Sequence, residues 1–101
     1  MPLNNPSALP ATNSTTSTPA TVAASTTSAV LLAANSARKG ATIWNNSNNN
    51  LFIDLGPTAS AATYSARLIS GGYYELPFQY TGAISGIWDG TNGNCFVREL
   101  T

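Results

Sequence analysis

The stretch Ala41-Thr42-Ile43-Trp44-Asn45-Asn46-Ser47-Asn48-Asn49-Asn50-Leu51-Phe52-Ile53-Asp54-Leu55 decides the fold. Its two flanks alternate with the period of two that a half-buried strand shows, and Leu51, Ile53 and Leu55 fall on one face. The run of asparagines between them tolerates left-handed backbone and reads as a turn. Two alternating runs about a short polar turn predict a β-hairpin over 41–55.

The same signals repeat on either side. Ser28 to Ala33 is a short Val/Leu run, followed by a loop over Ala34 to Gly40. Gly56-Pro57 ends the strand at Leu55. Thr63 to Ile69 places Tyr64, Ala66 and Leu68 on one face and Ser65 and Arg67 on the other. Ser70-Gly71-Gly72 is a tight turn, Tyr73 to Leu76 a short strand stopped by Pro77, and Ala83 to Trp88 another strand interrupted by Gly86. Asp89 to Gly93 turns the chain into a last strand over Cys95 to Leu100. Seven short strands at spacings of roughly 8–12 residues, with no sustained 3.6-residue apolar period, predict an all-β fold. The expected architecture is a small antiparallel β-sandwich, jelly-roll-like. Ile84, Gly86 and Trp88 share a face, which places Trp88 in its core.

Upstream of this pattern the composition changes. Residues 1–28 are nearly all Ser, Thr, Ala, Pro and Asn, and four of the six prolines lie there: Pro2, Pro6, Pro10 and Pro19. Proline removes backbone donors and blocks central-strand pairing, and so few large apolar groups cannot offset the entropy of ordering. Residues 1–28 therefore read as an extended N-terminal arm and 29–101 as the sandwich domain. Two fates are open to the arm: a spacer, or a segment ordered against a neighbouring subunit through Pro6, Pro10 and Pro19. Met1 to Pro6 has neither a basic nor an apolar region of the kind a secretion signal carries, so synthesis in a reducing cytoplasm is expected.

Charge restricts the function classes. Four basic and four acidic residues balance to zero, and charged residues make up 8% of the 101-residue chain, against about 25% in typical soluble domains. Phosphate neutralisation needs clustered cations, and only Arg38 and Lys39 are adjacent, so no nucleic-acid partner is expected. The longest apolar run, Ala29 to Ala34, is far short of the roughly 20 residues of a membrane span, so no membrane is expected either. Few charges and a small core point instead to a surface covered by partners. The expected state is a homo-oligomer, with a trimer weakly preferred.

Chemistry-bearing residues are sparse. With no histidine and a single cysteine, the chain has no disulfide framework and no Cys/His zinc set, and no cofactor is expected. The commonest general base is missing, and Asp54, Glu75, Asp89 and Glu99 read as solvent-facing strand charges. Catalysis is not expected. Cys95, between Asn94 and Phe96 in a strand, reads as a small buried hydrophobe. Asn45-Asn46-Ser47 matches the glycosylation sequon without a secretion signal to support it. The aromatics say more. Tyr73, Tyr74, Phe78, Tyr80 and Trp88 fall within 16 positions, and Tyr73 and Tyr74 must point to opposite faces of one strand. One is expected in the core and the other at a contact. Tyr73, Tyr74, Phe78 and Tyr80 are thus candidate interface residues, and the same cluster could stack on a sugar.

Several strings carry a resemblance: Leu32-Ala33-Ala34-Asn35, Arg38-Lys39-Gly40-Ala41, Asn45-Asn46-Ser47, Leu51 to Gly56, Gly72-Tyr73-Tyr74-Glu75-Leu76-Pro77, Tyr80-Thr81-Gly82-Ala83-Ile84-Ser85-Gly86-Ile87-Trp88 and Glu99-Leu100. Ala33 to Leu100 resembles a small module of virion structural proteins of tailed bacteriophages. The resemblance implies a non-enzymatic component of the particle. The leading expectation is a capsid decoration or cement protein on the capsid surface, partnered by the major capsid protein or another virion protein. The alternative is a neck, baseplate or tail-fibre component, with or without a glycan-binding tip.

Overall fold

The computed structural model describes residues 13–101. Eight strands run through them: β1 (Ser17–Ala23), β2 (Ala29–Leu32), β3 (Gly40–Ser47), β4 (Leu51–Asp54), β5 (Ala66–Leu68), β6 (Tyr73–Glu75), β7 (Ile84–Trp88) and β8 (Gly93–Leu100). They form two antiparallel four-stranded sheets, ordered β1-β8-β3-β6 and β2-β7-β4-β5. This is the strand order of an eight-stranded jelly roll, a double Greek key. The all-β sandwich expected from periodicity is the fold observed.

The period-two pattern decides which side chains meet between the sheets. Ala41 and Ile43 on β3 and Cys95 and Val97 on β8 face inward from the first sheet. Leu31, Leu51, Ile53, Leu68, Ile84 and Trp88 face them from the second. Trp88 is in the core as expected. Gly86 makes room there, since a Cβ at this position would come within 2.9 Å of Leu51 Cδ1 and 3.1 Å of Leu31 Cδ1.

Three expectations change. The stretch 41–55 is not a hairpin, because β3 and β4 lie in different sheets and the asparagine turn carries the chain across the end of the sandwich. Both strands have an apolar face to bury, and crossing between sheets lets each face the other's core. The strands number eight, because the low-complexity segment supplies β1, which pairs with β8 from Ser17↔Leu100 to Ala23↔Asn94. The boundary at residue 28 therefore falls inside the sandwich. Pro19 is accommodated because β1 is an edge strand, where a missing N–H costs no central pairing. Val22 packs against the core and Ala24 is buried in it, which ties the segment down despite its polar composition.

Each end of the sandwich is closed by one buried polar side chain. At one end Arg38 Nε donates to Glu99 Oε2 at 2.8 Å. Its Nη1 donates to the carbonyls of Tyr80 (3.0 Å) and Gly82 (2.7 Å), and its Nη2 to that of Ala33. The guanidinium is fully buried. At the other end Asn45 Nδ2 donates to the carbonyls of Asn49 (2.8 Å), Leu68 (3.0 Å) and Ile69 (3.0 Å), and its Oδ1 accepts from Ser47 Oγ at 2.7 Å.

Two outcomes follow. Trp88→Ala should lower stability by about 3–5 kcal/mol, read by chemical denaturation, because the core of so small a domain has little slack to close the cavity. Arg38→Ala should cost a similar ~3–5 kcal/mol, since it strands the Glu99 carboxylate and three carbonyls without their donor. Arg38→Lys should recover little of that loss, because a point charge does not reproduce a fork that reaches several acceptors.

Candidate functional site

The outer faces of the two sheets differ. Loop residues 55–65 lie over the β2-β7-β4-β5 sheet. Ser85 Oγ donates to the Gly56 carbonyl at 2.8 Å, the Ala59 N–H donates to Ser28 Oγ at 2.8 Å, and the Tyr64 ring packs on Phe52 with centroids 5.0 Å apart. Ser85 is fully buried although it points away from the core.

No described residue covers the outer face of the β1-β8-β3-β6 sheet. Strand register places Thr21, Phe96, Trp44 and Tyr73 side by side across its four strands. Their inward neighbours Ile43, Cys95 and Val97 require this by alternation. The three rings are about half exposed: Phe96 47%, Trp44 46% and Tyr73 53%. Tyr73 Oη donates to Glu75 Oε2 at 3.1 Å, which leans its ring along β6. Its phenol is lifted above the ordinary value, first by desolvation and then by Glu75, so it stays a donor. The next row is Pro19, Arg98, Thr42 and Glu75.

On its other side the aromatic row borders an uncharged cleft of about 260 Å³. Asn46 and Asn94 continue the outward face of β3 and β8, joined by Asn46 Nδ2 donating to Asn94 Oδ1 at 3.0 Å. Asn46, Asn48, Ser70 and Asn92 bring amides and a hydroxyl to the cleft, and Gly71 and Gly93 complete its wall. Both glycines have positive φ, 78° and 97°. At Gly93 a Cβ would lie 2.7 Å from the Asn46 carbonyl oxygen, so backbone meets backbone there.

At the opposite end, where Arg38 sits, Phe78 is fully exposed. It and Gln79 take left-handed backbone, with φ of 51° and 52°. Two successive non-glycine residues in that region cost roughly 1–2 kcal/mol each. Arg38 holds this loop through the Tyr80 and Gly82 carbonyls. The N-terminal segment enters at the same end, where the Thr101 N–H donates to the Thr16 carbonyl at 2.9 Å.

The residues singled out by sequence separate into groups. Tyr74 is half-buried and packs against the core, while Tyr73, its neighbour, faces outward, so the opposed orientation holds. Tyr80 also packs against the core and donates to the Ala83 carbonyl at 3.0 Å. Phe78 is free of the core. Pro19 is exposed in β1, paired with Arg98 of the same chain. Pro6 and Pro10 lie outside the described residues. Trp44 and Phe96 were missing from the expected set, although alternation against Ile43 and Val97 signals both. Asn45 is fully buried, so the sequon that it opens is closed to modification in the folded protein.

Among the described residues no three His, Cys, Asp or Glu side chains group as metal ligands. These features define a class: a small jelly-roll module with an exposed aromatic row beside an uncharged amide cleft. No protein-family model matches the chain, and neither a curated protein nor a solved structure matches it.

Cys95 is buried in the core, and burial pushes its thiol up to about 12 from 9.0. The folded state therefore holds the thiol proton more tightly than the unfolded chain does. The resulting stability is fully present below pH 9 and is lost as pH rises from about 9 towards 12. A thiol reagent at pH 8 should leave the native protein unlabelled and label it fully in denaturant. Rapid native labelling would place Cys95 outside the core.

Proposed function

We propose that this chain is a non-enzymatic structural component of a tailed-bacteriophage particle, a decoration protein bound to the capsid surface through its Arg38 end. The observation that carries this reading is the Phe78 loop. A phenylalanine with no cover from the described residues, held on two left-handed residues and anchored from behind by a buried arginine, has the form of a docking knob. Thr16, which leads into β1, lies at the same end of the sandwich, bonded to Thr101. Charge supports the same reading. The Arg38–Glu99 pair takes one cation and one anion out of play and leaves three of each for the rest of the surface, so little charge repulsion opposes close assembly. The resemblance of Ala33 to Leu100 to phage virion modules supports a particle of that kind. A jelly roll, which serves viral shells and lectins alike, is compatible with it.

On the shell the module is a homo-oligomer, a trimer in preference to a dimer, made in the host cytoplasm and partnered by the major capsid protein. The same attachment end would serve at a neck, baseplate or fibre. Copy number in a particle reconstruction separates the two: hundreds on a shell, a few or tens at a tail.

The test adds purified protein to particles assembled without it. Phe78→Ala should leave the melting temperature unchanged and weaken particle binding about 30-fold, the ~2 kcal/mol of a hot spot. Removing residues 1–12 should weaken binding with every described strand retained. Removing 1–28 should destabilise the fold, because β1 goes with it. Wild-type particle binding by both Phe78→Ala and the 12-residue truncation would sink the attachment reading.

A further inference from the structure

We propose that the outer face of the β1-β8-β3-β6 sheet, with the cleft beside it, binds a neutral glycan. The ligand class is an uncharged oligosaccharide of pyranose units, one ring seated in the amide cleft and its neighbours lying on Trp44 and the rings beside it. This inference does not rest on where the module is attached. The cleft is at the Asn45 end of the sandwich, opposite the Phe78 loop, so a particle-bound module would present it outward.

The chemistry of the two halves matches the two sides of a sugar. A pyranose ring carries C–H bonds on its faces and hydroxyls around its rim. Exposed aromatic faces, with their negative π-surface, receive the C–H side, and asparagine amides receive hydroxyls as both donor and acceptor. Trp44 and Asn46 are two residues apart on one face of β3, about 7 Å along the strand. Phe96, Trp44 and Tyr73 lie on adjacent strands, about 4.8 Å apart, a spacing comparable to the length of one sugar residue in a chain. The Asn46–Asn94 bond fixes the Asn46 amide plane in advance and leaves its carbonyl oxygen and second N–H to a ligand. Asn48, Ser70 and Asn92 make no side-chain hydrogen bond to the described residues and complete a ring of hydroxyl partners.

Charge and size select against other ligands. No charged side chain lines the cleft. The charges nearest the row, Arg98 on β8 and Glu75 on β6, are of opposite sign, so the face favours neither anion nor cation. At about 260 Å³, the cleft is below the roughly 300–1,000 Å³ of drug-sized pockets and suits a single ring. A protein partner or a second copy would cover the aromatic row but would leave the adjoining amides facing an apolar contact without partners, a costly arrangement.

The experiment titrates the full chain with four neutral hexasaccharides: a β-1,4-glucan, an α-1,4-glucan, a β-1,4-mannan and a β-1,4-linked N-acetylglucosamine chain. It follows the Trp44 indole and the asparagine side-chain amides by NMR. At least one sugar should shift the Trp44, Asn46 and Asn48 resonances saturably. Trp44→Ala should weaken that binding about tenfold or more, and Asn46→Ala and Asn48→Ala should weaken it with the melting temperature unchanged. Tyr64→Ala, on the other sheet, should have no effect on it. Absence of a saturable shift with all four sugars, or binding that survives Trp44→Ala, overturns the proposal. So does a concentration-dependent dimer in sedimentation that Trp44→Ala abolishes, which would make the face a self-association surface. Particle binding by the Phe78 variants is a separate readout, so either reading fails without the other.

Discussion

The guanidinium of Arg38 is the interaction on which the rest of this structure depends. Three parts of the chain far apart in sequence meet at it: the loop after β2 through Ala33, the loop before β7 through Tyr80 and Gly82, and strand β8 through Glu99. A sandwich of this size has only one thin core, with no disulfide among the described residues and little apolar area to offset backbone entropy. A buried cation is costly by itself, and it is tolerated here because each arm of the fork finds an acceptor. The gain is geometric. One side chain ties the loops after β2 and before β7 to β8, and the second of these loops carries the Phe78 turn.

Asn45 does the corresponding work at the other end with no charge. Its amide bridges the β3–β4 turn to the β5–β6 turn by taking the Asn49, Leu68 and Ile69 carbonyls. Backbone bonds reinforce the link, with the Asn45 N–H on the Gly72 carbonyl and the Gly71 N–H on the Asn45 carbonyl. This is where β6 stops pairing with β3 and the sheet gives way to the amide cleft. The cleft is thus a consequence of how the end of the sandwich is closed. Satisfying Asn45 inward leaves its sequence neighbours Asn46 and Asn48 pointing outward, by the same alternation that buries Ile43 and exposes Trp44.

The legible part of this fold was its periodicity. Alternation in 41–55, the Ser70-Gly71-Gly72 and Asp89–Gly93 turns and the stop at Pro77 mark seven of the strands and place Trp88 and Cys95 inside. Connectivity was harder to read, because a polar turn between two amphipathic strands looks the same whether the strands pair in one sheet or cross to the facing one. The missing strand was hidden by composition. Ser17 to Ala23 has one large apolar residue, Val22, and a central proline, and it is held mainly by backbone pairing to β8, which leaves no trace in side-chain pattern. The aromatic row was half visible. Opposition in one strand meant that Tyr73 or Tyr74 faces outward without saying which, and the neighbours of Tyr73, Trp44 and Phe96, lie 29 and 23 positions away in sequence, so only the register of β3 and β8 brings the three together.

The two sheets of a jelly roll are equivalent in their inner faces, which share one core, and unequal here in their outer ones. Loop 55–65 folds over the β2-β7-β4-β5 sheet and consumes its outward groups internally: Ser85 on Gly56, Phe52 on Tyr64, the Ser28 hydroxyl on Ala59. The connections at the Asn45 end of the other sheet are much shorter than this loop. β3 turns to β4 through three residues and β7 to β8 through four. Among the described residues, short turns at the Asn45 end leave Phe96, Trp44 and Tyr73 uncovered. The exposed row therefore follows from loop length as well as from residue identity. Half-exposed rings on a flat sheet retain apolar area in water, and isolated exposed hydrophobes need no explanation, but three in register on adjacent strands form a continuous surface. With an amide cleft at its border and charges of opposite sign beside it, that surface differs in its chemistry from the roofed sheet, whose outward groups are consumed internally.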